Sequence, residues 1–214
     1  MFDFSIQDIV ARIPALLIGF AFHEFAHAYA AYRLGDHTAK NQDRLTLNPL
    51  VHLDPIGTLL ILIAGFGWAK PVPVNPVNFT RKITMRKGMM LVSLAGPLIN
   101  VVIALVAAIV LGVLVGTGFE NEALFTIVQM ILFLNIGLAV FNLLPIPPLD
   151  GSKILAGFLP RKFDYYLDKL ERYGMFILLL LLVTDLIGKI IGPPMFGLYY
   201  VMQNVVAMVA RLVS

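Results

Sequence analysis

The sequence predicts an all-α polytopic membrane protein of about five to six transmembrane helices, with one re-entrant segment and a short β-like strand. Three observations predict this. Of the 214 residues, 59% are hydrophobic and only 14% charged, against about 45–50% and about 25% in soluble domains. Met89 to Phe119 and Ala123 to Leu149 carry no charge, and each exceeds the roughly 20 residues that cross a bilayer as a helix. The basic residues gather in the loops between apolar runs, the pattern of an oriented membrane protein. Together these features exclude a soluble globular chain, a disordered one and a nucleic-acid binder; the net charge of +3 comes from those loops. With no cysteine, any metal must be held by His, Asp, Glu or amide oxygen.

Six apolar segments follow in order. Segment A runs from Ile13 to Tyr32. It contains His23, Glu24 and His27, which a cleavable signal sequence would not carry, so it is expected to stay in the mature protein. Segment B, Ile56 to Trp68, is short and holds Gly57, Gly65 and Gly67. Its uncharged run makes roughly 22 Å of helix against a hydrocarbon core of about 30 Å, so a re-entrant hairpin is expected. Segments C (Met89 to Gly116) and D (Ala123 to Leu144) are long enough to span. Segments E (Tyr173 to Gly192) and F (Met195 to Ala210) are expected to go out and return. Between B and C, KPVPVNPVN from Lys70 to Asn78 reads as extended. Pro71 and Pro73 blank one edge, while Val72 and Val74 turn their backbone groups to the other. That piece is either a rigid loop clamp or an edge able to pair with an unwound peptide. No repeat or inserted domain is visible, so residues 1–214 read as one membrane-embedded domain. Its catalytic core is expected at about 13–151 and its accessory helices at about 173–213.

Charge sets the orientation. Lys70 to Lys87 has five basic residues and no acid, Asp150 to Arg172 also has five basics, and the C–D turn has Glu120 and Glu122 and no base. The positive-inside tendency puts the first two loops in the cytoplasm and the C–D turn outside. Arg211 then lies inside and, if B is re-entrant, the N-terminus with Asp3 and Asp8 lies outside.

His23-Glu24-Phe25-Ala26-His27 is an H-E-x-x-H motif. Residues four apart on a helix share a face, so both imidazoles reach one metal ion and Glu24 flanks it as a proton acceptor. A buried carboxylate inside an apolar helix is costly unless it has a functional partner; the bland alternative is a polar cluster gluing helices together. A catalytic zinc takes a third protein ligand and keeps one position open. Asp150 is the preferred third ligand, set on a bend made by Pro145, Pro147, Pro148 and Gly151 at the cytoplasmic end of D. Its alternative role is a helix N-cap. His27 lies six residues before Arg33, so the two groups share a depth only if A runs from outside to inside. His52 is a rival ligand, transition-state donor or loop-positioning residue, and His37 an ordinary surface turn. Asn142 either stabilises the oxyanion of peptide hydrolysis or makes an interhelical hydrogen bond. Asn100 and Asn135 read as interhelical bonds, Asp36, Asp43 and Asp54 as loop residues, and Gly96-Pro97 as close helix approach or a kink.

HEFAH (His23 to His27), NPLVHLDPIG (Asn48 to Gly57) and NLLPIPPLDG (Asn142 to Gly151), with GWAKPVPVNP and AGPLIN between them, resemble the site-2 protease family of intramembrane zinc metallopeptidases. The resemblance covers about two thirds of the chain. It implies a three-helix catalytic core of A, C and D and one Zn²⁺ held at His23, His27 and Asp150. It also implies Glu24 as the catalytic carboxylate and Asn142 near the substrate carbonyl. The implied substrates are transmembrane proteins, cut in the lipid bilayer of a cell membrane with the site toward the cytoplasm. With 22 residues before His23 and no room for a PDZ or CBS domain, the chain resembles the compact branch. A divalent-metal transporter without peptidase activity is the alternative from another class, and a catalytically inactive membrane protein a third.

Overall fold

The structure is a computed structural model that describes residues 6–57, 60, 67–80, 82–184 and 186–214. It is all-α. The main helices are α1 (Ile6–Arg33), the single turn α2 (Thr38–Asn41), α3 (Met85–Gly116), α4 (Glu122–Asn142), α5 (Asp150–Phe158), α6 (Asp164–Val183) and α7 (Leu186–Val213). Three of these, α3, α4 and α7, are long and apolar enough to cross a membrane. At 28 residues α1 matches α7 in length, but its His-Glu-His stretch makes it less apolar. This is a multi-pass membrane protein.

The helix starts are written locally. The Thr84 hydroxyl accepts the Lys87 N–H at the start of α3, and the Asn121 side chain accepts the Leu124 N–H at the start of α4, satisfying donors that a helix leaves open. α1 ends at Gly35, whose φ of 104° lies in the left-handed region.

α3 is the central helix. His23 and His27 of α1 meet Asn100 and Val92 of α3 in reverse order, so the two run antiparallel; α4 returns antiparallel to α3, hence parallel to α1. Ala104, Ala108 and Leu111 pack with Leu132, Ile136 and Met202 into the main apolar core. Helix α7 lies parallel to α3. A Cβ on Gly112 would fall 2.6 Å from Val209 Cβ, and one on Gly116 would fall 2.5 Å from the Ala210 carbonyl oxygen.

That geometry corrects the expectation for segments E and F. The helix does not break at Gly192–Pro193–Pro194; α7 runs through both prolines, and the break falls after Val183. Segment E is not one continuous helix. Only Tyr173 to Val183 of α6 is free of charge, roughly 16 Å of helix. Leu178 packs with Leu149 and Ile187 at the bend after α4, so α6 stays at that end of the bundle. α7 runs from that end of the bundle to the other. Arg211 therefore sits beside the α3–α4 turn, at the end opposite Asp150, where an inside position beside Asp150 was expected.

The β-like strand does not form among the described residues. Lys70 to Asn75 is irregular and closes in a 3-10 turn at Pro76–Asn78; Leu53 and Ala69 make one isolated antiparallel bridge. A strand needs a continuous partner ladder, and here the side chains of α1 and its following loop take the backbone groups instead. The re-entrant reading of segment B falls mostly on 58–59 and 61–66, outside the described residues.

Candidate metal centre

His23 and His27 stand one turn apart on the face of α1 that meets α3. Their Nε2 atoms are 3.0 Å apart, and Asp150 Oδ2 lies 3.2 Å from His23 Nε2 and 3.1 Å from His27 Nε2. Among the described residues this is the one trio of His, Cys, Asp or Glu with donor atoms close enough to share an ion. Tetrahedral bonds of about 2.0–2.1 Å place neighbouring ligand atoms about 3.3 Å apart, so the triangle is close to the size a zinc ion needs. The chemistry of the trio fits as well. Asp150 and Glu24 are each only 8% exposed, and buried carboxylates cost several kcal/mol each when uncompensated. A dication removes that cost.

Each ring is held by its other nitrogen. His23 Nδ1 is 2.6 Å from Asn100 Oδ1, and His27 Nδ1 donates to the Val92 carbonyl at 2.7 Å. With Nδ1 carrying the proton, both Nε2 lone pairs face the shared point, the second-sphere arrangement that orients metal-binding imidazoles. Asn100 is fully buried; its amide donates to the Gly19 carbonyl and to Asn135 Oδ1. The interhelical reading of Asn100 and Asn135 is therefore met, but Asn100 also orients His23. Gly96 does more than let helices approach. A Cβ there would lie 2.5 Å from His27 Nε2 and 2.6 Å from His23 Cε1, so the missing side chain is the space the rings occupy.

Asp150 arrives from the proline bend. Leu149 occupies the cap position of α5 without a side-chain cap bond, and Asp150 is the first helical residue, so the N-cap alternative is not what the carboxylate does. Gly151 is required: a Cβ would fall 2.2 Å from the Leu143 carbonyl oxygen and 2.3 Å from that of Leu144.

Glu24 meets the segment that follows segment B. Its Oε2 accepts the Val72 N–H at 2.8 Å, so the Lys70–Thr80 strap lies against the carboxylate. Arg44 Nη2 donates to the Lys70 carbonyl at 2.7 Å, and Thr80 N–H donates to the Leu34 carbonyl. Asp36, expected to be a plain loop residue, is 1% exposed and accepts the Asn75 N–H, the Asn78 amide, and both the N–H and hydroxyl of Thr38. Burial pushes its carboxyl upward, but the hydrogen bonds from Thr38, Asn78 and Asn75 outweigh burial and hold it below the ordinary carboxylate range.

The other candidates bond to backbone carbonyls outside the trio. His52 is fully buried; its Nε2 donates to the Thr46 carbonyl and its own carbonyl accepts the Lys70 N–H, which is the loop-positioning role. Asn142 donates its amide to the Leu138 carbonyl of its own helix at 3.0 Å. His37 stays on the surface, with Nδ1 3.0 Å from the Gly35 carbonyl oxygen.

An imidazole pair four apart on one apolar helix, a carboxylate beside it and a second carboxylate from a distant bend fit a membrane-embedded zinc metallopeptidase. Comparison with known proteins agrees. The profile of peptidase family M50 matches residues 117–184, the stretch that carries Asp150. The chain is 44% identical to "Putative zinc metalloprotease YwhC" of Bacillus subtilis, over 85% of this chain and 84% of that one. It is 32% identical to "Putative zinc metalloprotease Rip2" of Mycolicibacterium smegmatis, over 83% and 68%. It is 31% identical to "Putative zinc metalloprotease MJ0611" of Methanocaldococcus jannaschii, over 72% and 73%. No solved structure matches. The chain belongs to peptidase family M50, the site-2 protease family, and is an intramembrane zinc metalloprotease. The transporter alternative has no support in these relatives.

Proposed function

We propose that the chain hydrolyses peptide bonds within or near transmembrane segments of partner proteins, with His23, His27 and Asp150 as the zinc ligands and Glu24 as the proton-transferring carboxylate. The observation that carries this reading is the ligand triangle with sides of 3.0–3.2 Å, built on the same helix turn as Glu24. Zinc, when bound, supplies a Lewis acid for the scissile carbonyl and lowers the pKa of its water toward about 7.

The chain's own residues do the rest. Glu24 takes the proton of the attacking water and returns it to the leaving amine, work a carboxylate does best when held dry and close. The single bond that its Oε2 accepts from the Val72 N–H leaves the carboxylate further lone pairs for that proton. Asn142 is the oxyanion donor in this reading, and its amide leaves the Leu138 carbonyl to serve. The whole of 1–214 acts as one membrane-embedded metallopeptidase domain, with 13–151 as its catalytic core. The basic loops support an orientation with the Asp150 end toward the cytoplasm, the side from which water would reach the site.

The test uses purified protein in vesicles with a single-span substrate, with and without a chelator. Wild type cleaves, chelated protein does not, and zinc restores cleavage. Glu24→Gln retains one zinc and loses cleavage. Cleavage by Glu24→Gln at the wild-type rate, or by fully chelated protein, refutes the assignment.

A further inference from the structure

Asp36 lies outside the metal centre, yet it organises the strap that touches it. Its Oδ1 accepts three bonds, from the Thr38 N–H (3.0 Å), the Thr38 hydroxyl (2.5 Å) and the Asn78 amide (2.9 Å). Its Oδ2 accepts one, from the Asn75 N–H at 2.7 Å. Thr38 belongs to the turn that follows α1; Asn75 and Asn78 belong to the strap. Three residues before Asn75, the Val72 N–H meets Glu24. The strap is thus held from the end of the same helix that carries His23, Glu24 and His27.

We infer that Asp36 is a positioning residue that fixes the 70–80 strap over the metal centre and so governs how tightly substrate is held beside Glu24. The inference rests on the reading of Glu24 as the catalytic carboxylate. A peptide brought to Glu24 passes the strap, because the strap backbone is within hydrogen-bonding distance of the carboxylate itself. Strap position therefore acts on substrate binding before it acts on bond cleavage. The ligand triangle does not involve Asp36, so metal binding is separate from it.

The asparagine substitution is selective. Asp36→Asn keeps the shape but replaces one acceptor oxygen by an NH₂ donor. Three donors converge on the Oδ1 position and one on Oδ2, so the NH₂ costs least at Oδ2, facing the Asn75 N–H. The turn at Thr38 then survives while the backbone hold on the strap is lost.

The experiment compares wild type, Asp36→Asn and Asn78→Ala, each purified with zinc and reconstituted in vesicles. Hydrogen exchange by mass spectrometry reads the strap, zinc content reads the metal centre, and cleavage of a single-span substrate gives KM and kcat separately. Losing a charge-assisted bond predicts exchange across 70–80 faster by about tenfold and KM raised by about tenfold in Asp36→Asn. Zinc content stays at the wild-type value and kcat stays within about twofold, since the reacting groups are untouched. Asn78→Ala removes one side-chain donor and gives a smaller change of the same kind. Wild-type exchange of the strap in both variants overturns the inference, as does faster exchange with an unchanged KM. If Asp36→Asn loses protection throughout the bundle, Asn78→Ala decides by the same two readouts. If the wild-type protein cleaves nothing, the peptidase reading fails, and strap exchange still decides whether Asp36 fixes the strap.

Discussion

Substituting Gly96 by alanine should unmake the metal centre without touching a ligand. Unstrained contacts between carbon atoms run at about 3.5–4.0 Å. The new Cβ would sit 2.5 Å from His27 Cε1 and Nε2 and 2.6 Å from His23 Cε1. The two rings together must give by roughly 1 Å. Neither is free to do so, because each Nδ1 is anchored, at 2.6 Å from Asn100 Oδ1 and 2.7 Å from the Val92 carbonyl oxygen. A shift of that size is large against ligand separations of 3.0–3.2 Å. Disturbing the groups that aim metal-binding imidazoles costs about 10–100-fold in affinity, or about 1.4–2.7 kcal/mol, and here the rings themselves are displaced.

Alanine is intrinsically the better helix former by about 1 kcal/mol, but forcing its Cβ against both rings is overpacking that costs about 1–3 kcal/mol, so fold stability should not rise while metal affinity falls. Gly197→Ala is the control, since a Cβ there meets nothing within 4 Å. Competition with a chromophoric chelator, read by zinc content after equilibration, measures the effect. Gly96→Ala should lose at least about tenfold in zinc affinity and Gly197→Ala nothing. Wild-type affinity in Gly96→Ala would refute the claim that the bare face of α3 is what makes room for the ligands.

Asn100→Ala removes the partner of His23 Nδ1; zinc affinity should fall by about 10–100-fold, measured by the same competition. Gly151→Ala puts a Cβ 2.2 Å from a backbone carbonyl oxygen, which no side-chain motion relieves. The bend that delivers Asp150 should open and thermal stability in detergent should drop by about 1–3 kcal/mol. The Asp36 carboxyl is held below its ordinary value in the folded protein, so its contribution is present above the unfolded value of about 3.9 and fades as pH falls through the lower folded value. Trp68, the single tryptophan, lies two residues before the strap. Its emission should hold steady from pH 7 to about 4 and shift only below that; a shift centred near pH 6 would contradict the clamp.

The meeting of His23, His27 and Asp150 was legible because each part has a local signature. Two histidines four apart need only helical geometry, and Asp150 needs only a chain reversal that three prolines and Gly151 advertise. The matching directions of α1 and α4 followed from counting charges. Asn100 was harder. Asparagine in an apolar helix is an interhelical bond on chemistry alone, and which helix it meets depends on crossings that no local pattern encodes. Asp36 sits in Gly35-Asp36-His37-Thr38, a stretch that reads as a turn, and its partners Asn75 and Asn78 are about 40 residues away. The error at Pro193-Pro194 has another cause. Proline removes an N–H and disfavours the preceding helical turn, which in water is a strong reason to stop. In an apolar bundle, breaking the helix exposes still more unpaired backbone, so continuing through the prolines costs less.

That same lack of water explains why the polar residues around His23 come as one connected set. His23 leans on Asn100, Asn100 on Asn135 and the Gly19 carbonyl, and Asn135 on the Ile131 carbonyl of its own helix. A polar group buried without a partner costs about 1–3 kcal/mol, so each member requires the next, and the chain of bonds ends only where it reaches helix backbone. The set thereby ties α1, α3 and α4 together at the level of the metal centre. The metal centre and the strap beside it are held by separate sets of bonds. Here the ligands are fixed by bonds between helices, and the strap by bonds to a loop at the end of α1. The two systems meet at Glu24, whose neighbour on either side in function is a ring held by α3 and an N–H held by the strap.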